Sequence, residues 1–185
     1  MINRVLFYNS GGGIGDAVQI LPLIDTLKNS YKNANFFYLC SHQNHFNSTL
    51  IDLNSKITSL DLGLKYFGFR WWHSLKIKKI VEKNKIEKFD LIIDLQSKIR
   101  NTILLKMIPH KYFISTTFNF KFSKPSLNIK KQKRINETII NAINHILNTK
   151  IKLNKYNINK IDKKFFLESD KLLPYDNYVG LSITQ

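Results

Sequence analysis

NSGGGIGDAVQILP, residues 9–22, joins the end of an apolar run to a glycine cluster and then to a carboxylate opening a periodic segment. The run before it, RVLFYN (4–9), is β-prone, and Gly11, Gly12, Gly13 and Gly15 follow at once, so the chain is predicted to leave a strand through a tight loop. From Asp16 to about residue 29 the apolar residues Val18, Leu21, Ile24 and Leu27 recur every three positions, which predicts a helix. Pro22 falls inside that segment and predicts a kink or break in its first turns. Strand, glycine loop and helix make a first βα turn, the place where open α/β sheets bind ligands.

Working outward, ANFFYLC (34–40) reads as a second strand and KITSLDL (56–62) as a weaker third, with a short helix over about 43–53 between them. RWWHSLKIKKIVEKNK (70–85) reads as an amphipathic helix whose stripe is Trp72, Leu75, Ile77, Ile80 and Val81. The near-continuous apolar run at 89–95 is what a parallel strand covered on both faces looks like, and helical character resumes over 98–108. A strand at 111–115 and a helix at 134–147 extend the alternation. The fold class is therefore α/β, a Rossmann-like parallel sheet with flanking helices and right-handed crossovers. Residues 149–176 are rich in Lys, Asn and Asp and read as a linker with one helical turn at KKFFLES (163–169); YVGLSIT (178–184) then begins a fresh strand.

Composition agrees with a globular chain: 185 residues, 43% apolar and 12% aromatic, enough for one ordinary core plus a remnant. The single cysteine, Cys40, cannot form an internal disulfide, which fits a reducing compartment. No apolar stretch is long enough to span a membrane, and the start lacks a signal-peptide pattern, so a cytoplasmic protein is expected. The net charge of +16 is unevenly placed: residues 1–62 hold four basic and four acidic residues, leaving 25 basic against 9 acidic after Leu62. Such a field favours an anionic partner, although a lysine-rich codon bias would produce the same excess.

The loop excludes two cofactor chemistries. A dinucleotide fingerprint needs a third glycine where Asp16 stands, and a phosphate loop needs a Gly-Lys-Ser/Thr ending that is absent. A carboxylate there would repel a pyrophosphate, so the loop suits a neutral hydroxyl better. Two uses are then open to Asp16: capping the helix, or acting as a general base. The five histidines, His42, His45, His73, His110 and His145, form no metal set by spacing, and no metal or cofactor is expected.

Ile14-Gly15-Asp16-Ala17-Val18, followed by Leu21-Pro22 and Leu27, resembles the opening motif of glycosyltransferase family nine, the lipopolysaccharide heptosyltransferases. Phe89 to Asn101 is similar to that family's aspartate-x-glutamine-glycine motif with a basic residue after it; Asp94, Gln96 and Arg100 match, while Ser97 stands where the family has glycine. Gly11 to Gly13 replace the family's serine-rich approach, and Tyr178-Val179-Gly180-Leu181 is similar to the strand opening its carboxy-terminal domain. The resemblance implies the amino-terminal half of a two-domain GT-B enzyme: an acceptor-binding domain at 1–150, a linker at 151–176, and the first strand of a nucleotide-sugar-binding domain at 177–185. It implies an inverting transfer from a nucleotide-sugar donor, an ADP-sugar, to a lipopolysaccharide core or related glycolipid acceptor. Asp16 is the implied catalytic base, and Gly12, Gly13, Gly15, Gln96 and Arg100 the implied acceptor-binding residues. A monomer at the inner membrane surface, inactive as this fragment alone, is the corresponding expectation.

FKFSKPSLNIKKQKR (120–134) carries Lys121, Lys124, Lys130, Lys131, Lys133 and Arg134 with no acid, and reads as a loop for contact with an anionic acceptor or anionic membrane. Tyr66, Phe67, Phe69, Trp71 and Trp72, interleaved with Lys65 and Arg70, fit either core packing or an interfacial anchor. The same mixture of rings and charge supports a competing reading, a basic Rossmann-like module that binds nucleic acid or membrane without catalysis.

Overall fold

Why do the strands at 4–9 and 89–94 read as apolar runs rather than as alternations? In the computed structural model, which describes residues 1–10, 13–40, 44–48, 50, 57–64, 70, 72–156 and 163–172, both sheet faces are covered by helices. Strands β1 (Arg4–Asn9), β2 (Asn35–Cys40), β3 (Ile57–Ser59), β4 (Phe89–Asp94) and β5 (His110–Ser115) form a parallel sheet in the order β3-β2-β1-β4-β5. Along β1, Val5 and Phe7 point to one core while Leu6 and Tyr8 point to the other, all of them fully buried. Both sides must therefore be apolar.

Helices α1 (Ile14–Gln19), α2 (Leu21–Ser30) and α5 (Ile135–Leu147) cover the first face; α3 (His73–Lys83) and α4 (Ile99–Leu105) cover the second. The strand order grows outward from β1 in two directions, and a right-handed crossover in opposite directions requires helices on opposite faces. The order reverses between β1 and β4. That switch point is where an open sheet of this kind leaves a crevice beyond its carboxyl ends.

The predicted helix over 16–29 is two helices. Pro22 occupies the first turn of α2, where its missing N–H is tolerated, and the chain breaks at Ile20. The break resets the phase: α1 buries Ala17 and α2 buries Leu21, Leu23, Ile24 and Leu27, while Val18, expected on the stripe, is exposed. Burying those aliphatic side chains is worth about 1.5–3 kcal/mol each. On α3 the expected stripe is also out of phase. His73 and Ile77 are buried, with Ile80 and Val81 partly so, and Leu75 is exposed because it lies half a turn from His73.

The helix expected over 43–53 is described only as a 3₁₀ turn at His45–Asn47, and the remainder of that expectation falls outside the described residues. In the stretch read as a linker, Ile151, Leu153 and Tyr156 pack on the first core, and the backbone N of Asn154 donates to Thr26 Oγ1 at 3.0 Å. Helix α6 (Lys163–Leu172) runs ten residues where one turn was expected. The fresh strand at 178–184 lies outside the described residues, as do Tyr66, Phe67, Phe69 and Trp71 of the aromatic segment. Among the described residues no helix is long and apolar enough to cross a membrane.

Candidate active site between β1 and β4

Asn9 closes β1 and Asp94 closes β4, so the two loops singled out in the sequence start side by side at the switch point. Asn9 is buried and bridges them. Its Oδ1 accepts from Gln96 Nε2 at 2.5 Å, and its Nδ2 donates to the backbone O of Asp16 at 3.2 Å. The side chain thereby couples the position of Gln96 to that of the first turn of α1. Asn9→Ala removes both bonds at once and is expected to lower stability by about 1–3 kcal/mol. Urea denaturation checks this, and an unshifted midpoint would show that Gln96 and Asp16 hold their places without the bridge.

Asp16 is half-buried in the first turn of α1. The helix N-cap is Gly13, with no side-chain cap bond, so the capping use of Asp16 is not the one adopted. The carboxylate stands over Gly13: a Cβ placed there would lie 3.9 Å from Asp16 Oδ2. At Gly15, next to Asp16, a Cβ would meet nothing within 4 Å among the described residues. Burial raises the Tyr38 phenol, and charge on Cys40 and Asp16 raises it further, so that hydroxyl stays neutral. Gly12 lies outside the described residues.

Asp94 does not reach the crevice. It is fully buried, with Thr102 Oγ1 donating to Oδ2 at 2.6 Å, Ser115 Oγ donating to the same oxygen at 2.8 Å, and the backbone N of Gln96 donating to Oδ1 at 3.0 Å. Burial pushes its carboxyl up to about 6, against the opposing pull of those three hydrogen bonds. The residue ties β4 to α4 and β5 and sets the turn that presents Gln96. Next to it, Asn101 Nδ2 donates to the Tyr8 hydroxyl at 2.7 Å, and burial raises that phenol too. None of Asn9, Thr102, Ser115 and Asn101 was singled out in the sequence. Asn9 alone carried a signal, a polar residue ending an apolar strand.

Arg100 is exposed in the first turn of α4, four residues beyond Gln96. The basic segment divides. Lys121 and Lys124 lie at the β5 edge, where Lys124 N donates to Phe113 O at 2.8 Å, whereas Leu127 and Ile129 cross to the core under α5. Lys130, Lys131 and Lys133 are exposed there, and Arg134 is the N-cap residue of α5, with its Nη1 4.0 Å from Glu137 Oε1. The structure thus gathers Asp16 and Gln96 around Asn9 but spreads the six basic residues over two faces. Among the described residues, no three His, Cys, Asp or Glu side chains are grouped to hold a metal ion.

A glycosyl transferase family 9 protein from Veillonella parvula superposes on this chain with a TM-score of 0.55 at 16% identity, over 94% of this chain and 51% of that one. The fold is that of the family 9 glycosyltransferases. Heptosyltransferase WaaC of E. coli with ADP matches with a TM-score of 0.59 at 15% identity, over 89% of this chain and 53% of that one. The same enzyme with ADP-2-deoxy-2-fluoro heptose matches at 0.57 and 16% identity, over 82% and 50%. The chain spans about half the length of the solved structures it matches. No family model and no curated protein matches its sequence.

Proposed function

We propose that this chain is the amino-terminal, acceptor-binding half of an inverting family 9 glycosyltransferase, with Asp16 as general base. One observation carries the reading: a half-buried carboxylate, unused as a cap, stands over Gly13 in the first turn of α1, at the switch point of a sheet with the heptosyltransferase fold. The acceptor hydroxyl would lie against Asp16, with Gln96, Gly13, Gly15 and Arg100 lining its sugar. Attack on the anomeric carbon would release the nucleoside diphosphate from the opposite face while the hydroxyl proton passes to Asp16. The donor, bound by a second α/β unit, would be an ADP-sugar, since the heptosyltransferase matched in fold was solved with ADP and with an ADP-sugar analogue. An aspartate is a weak base, so proton transfer must accompany bond formation, and positioning dominates.

The test has two arms. Titration of the chain with a deacylated core oligosaccharide is expected to perturb amide resonances of Asp16, Asn9 and Gln96 without any sugar transfer. A polypeptide that continues into a nucleotide-sugar-binding unit is expected to transfer sugar from the ADP-sugar with inversion. Perturbations confined to the 120–134 segment would place the acceptor elsewhere and end this reading.

The protein would work in the cytoplasm against the anionic inner leaflet, with acceptor or lipid phosphates met by Lys121 and Lys124 on one face or by Lys130, Lys131, Lys133 and Arg134 on the other. Changing Lys130, Lys131 and Lys133 together to Glu is expected to weaken co-sedimentation with anionic liposomes, at about 1 kcal/mol per basic residue near the surface at low salt. Undiminished co-sedimentation at low salt would remove these residues from the contact.

A further inference from the structure

The outward side of α4 is not composed like a solvated helix face. Asn101, Thr102, Leu104 and Leu105 turn inward and are buried. The exposed positions are Ile99, Ile103 and Met107, at 40%, 47% and 37%, recurring every four residues, together with Arg100 and Lys106. Polar, mixed-charge residues are the rule on such a face. Here every exposed position from 99 to 107 is either apolar or cationic.

The patch continues past the helix. Lys106 Nζ lies 5.7 Å from the centroid of the Phe122 ring, which stacks with Phe118 at 5.7 Å; Phe118 is 61% exposed. Phe118 stands out because Phe118, Asn119 and Phe120 all adopt left-handed backbone, with φ of 46, 52 and 67°. That conformation is uncommon for a single residue other than glycine, and least suited to a bulky side chain. Fully buried Phe120 anchors the turn while Phe118 points away. Backbone strain of this kind concentrates at sites of function. From Leu95 through Asn136 the chain contains no Asp or Glu, and Arg100, Lys106, Lys121 and Lys124 are exposed on the patch or at its margin.

We propose that this face docks on an anionic lipid bilayer, with Ile99, Ile103, Met107 and Phe118 entering the boundary between headgroups and acyl chains and the four cations meeting lipid phosphates. Aliphatic and aromatic residues edged by Lys and Arg are the composition of interfacial protein surfaces. A second copy of the chain fits poorly, because a two-fold contact would set cations against cations. A single-stranded nucleic acid would use the rings and charges but leave the aliphatic stripe in water. The stripe begins at Ile99, three residues beyond Gln96, so docking would bring the crevice rim to the lipid surface. That last consequence rests on the glycolipid-acceptor reading; the docking itself does not.

Co-sedimentation of the chain with phosphatidylcholine vesicles, with and without phosphatidylglycerol, tests the face. The unaltered chain is expected to bind the phosphatidylglycerol vesicles. Ile103→Ser/Phe118→Ser should bind at least about tenfold more weakly, a loss that persists at high salt because it removes apolar burial. The loss in a Lys106→Gln/Lys121→Gln variant, which removes two of the cations on this face, should instead fade as salt screens it. Ile99→Ser/Met107→Ser, remote from the left-handed turn, should show the same salt-insensitive loss if the first variant is poorly folded by circular dichroism. Unchanged vesicle binding in both serine variants would overturn the proposal. So would a dimer that Ile103→Ser/Phe118→Ser abolishes in a chain that ignores vesicles, or retention of oligonucleotides in place of vesicles. Because these assays contain no donor and the transfer assay uses a deacylated acceptor, either reading can fail without the other.

Discussion

In a polypeptide that continues into the nucleotide-sugar-binding unit, Asp16→Asn is expected to lower turnover of sugar transfer by about 10²-fold to 10⁴-fold, the usual contribution of a positioned general base, while leaving acceptor affinity near normal. The substitution separates chemistry from folding because, among the described residues, the side chain makes no hydrogen bond or ion pair that asparagine would break. The N-cap is Gly13, and the atom of Asp16 that Asn9 holds is its backbone oxygen, which the substitution leaves in place. A lost cap would have cost about 1 kcal/mol of stability. With no cap to lose, the change in unfolding free energy should stay within about 0.5 kcal/mol. Steady-state kinetics and thermal unfolding of the same variant check the two halves. Normal turnover would remove Asp16 from the chemistry, and a fall in stability matching the fall in activity would make its role structural.

The element order was legible because it depends on short-range pattern. The run at 89–95 has the look of a strand covered on both faces, and Pro22 announced the break between α1 and α2. Phase was less legible than existence. A helix that restarts at Leu21 shifts its buried stripe, and His73 takes a core position on α3 that a polar residue does not advertise. The site was legible only in part. Asp16 and Gln96 stood in recognisable motifs, but Asn9 becomes a bridge only when β4 lies beside β1, and Gln96 comes from 87 positions away. Likewise Thr102 and Ser115 converge on Asp94 because the β4–β5 register sets Asp94 opposite Ser115. The basic segment was read as one surface since it is one stretch of chain; the crossing of Leu127 and Ile129 to the opposite core splits it.

Asp94→Asn is expected to gain stability relative to the unaltered chain as pH rises. Desolvation holds the folded-state carboxyl at about 6, above the ordinary 3.8. Between those values the folded chain binds more protons than the unfolded one, so the Asp94 contribution falls with rising pH, by roughly 3 kcal/mol across the whole window. Asparagine does not titrate and resembles the protonated acid in shape. Its Oδ1 can still accept from the Gln96 backbone, and the Thr102 and Ser115 hydroxyls can rotate to accept from its Nδ2. The free-energy difference between variant and parent should therefore climb by about 2–3 kcal/mol from about pH 4 to about pH 7, with most of the rise complete near pH 6. Asp94→Leu, which removes all three hydrogen bonds and takes the acceptor from the Gln96 backbone N–H, should cost about 3–5 kcal/mol and provides the contrasting case. Urea unfolding at the two pH values measures each difference. If the three donors outweighed burial, the parent would instead gain on the asparagine variant as pH rises, so the sign of the slope decides which force sets the charge beneath Gln96.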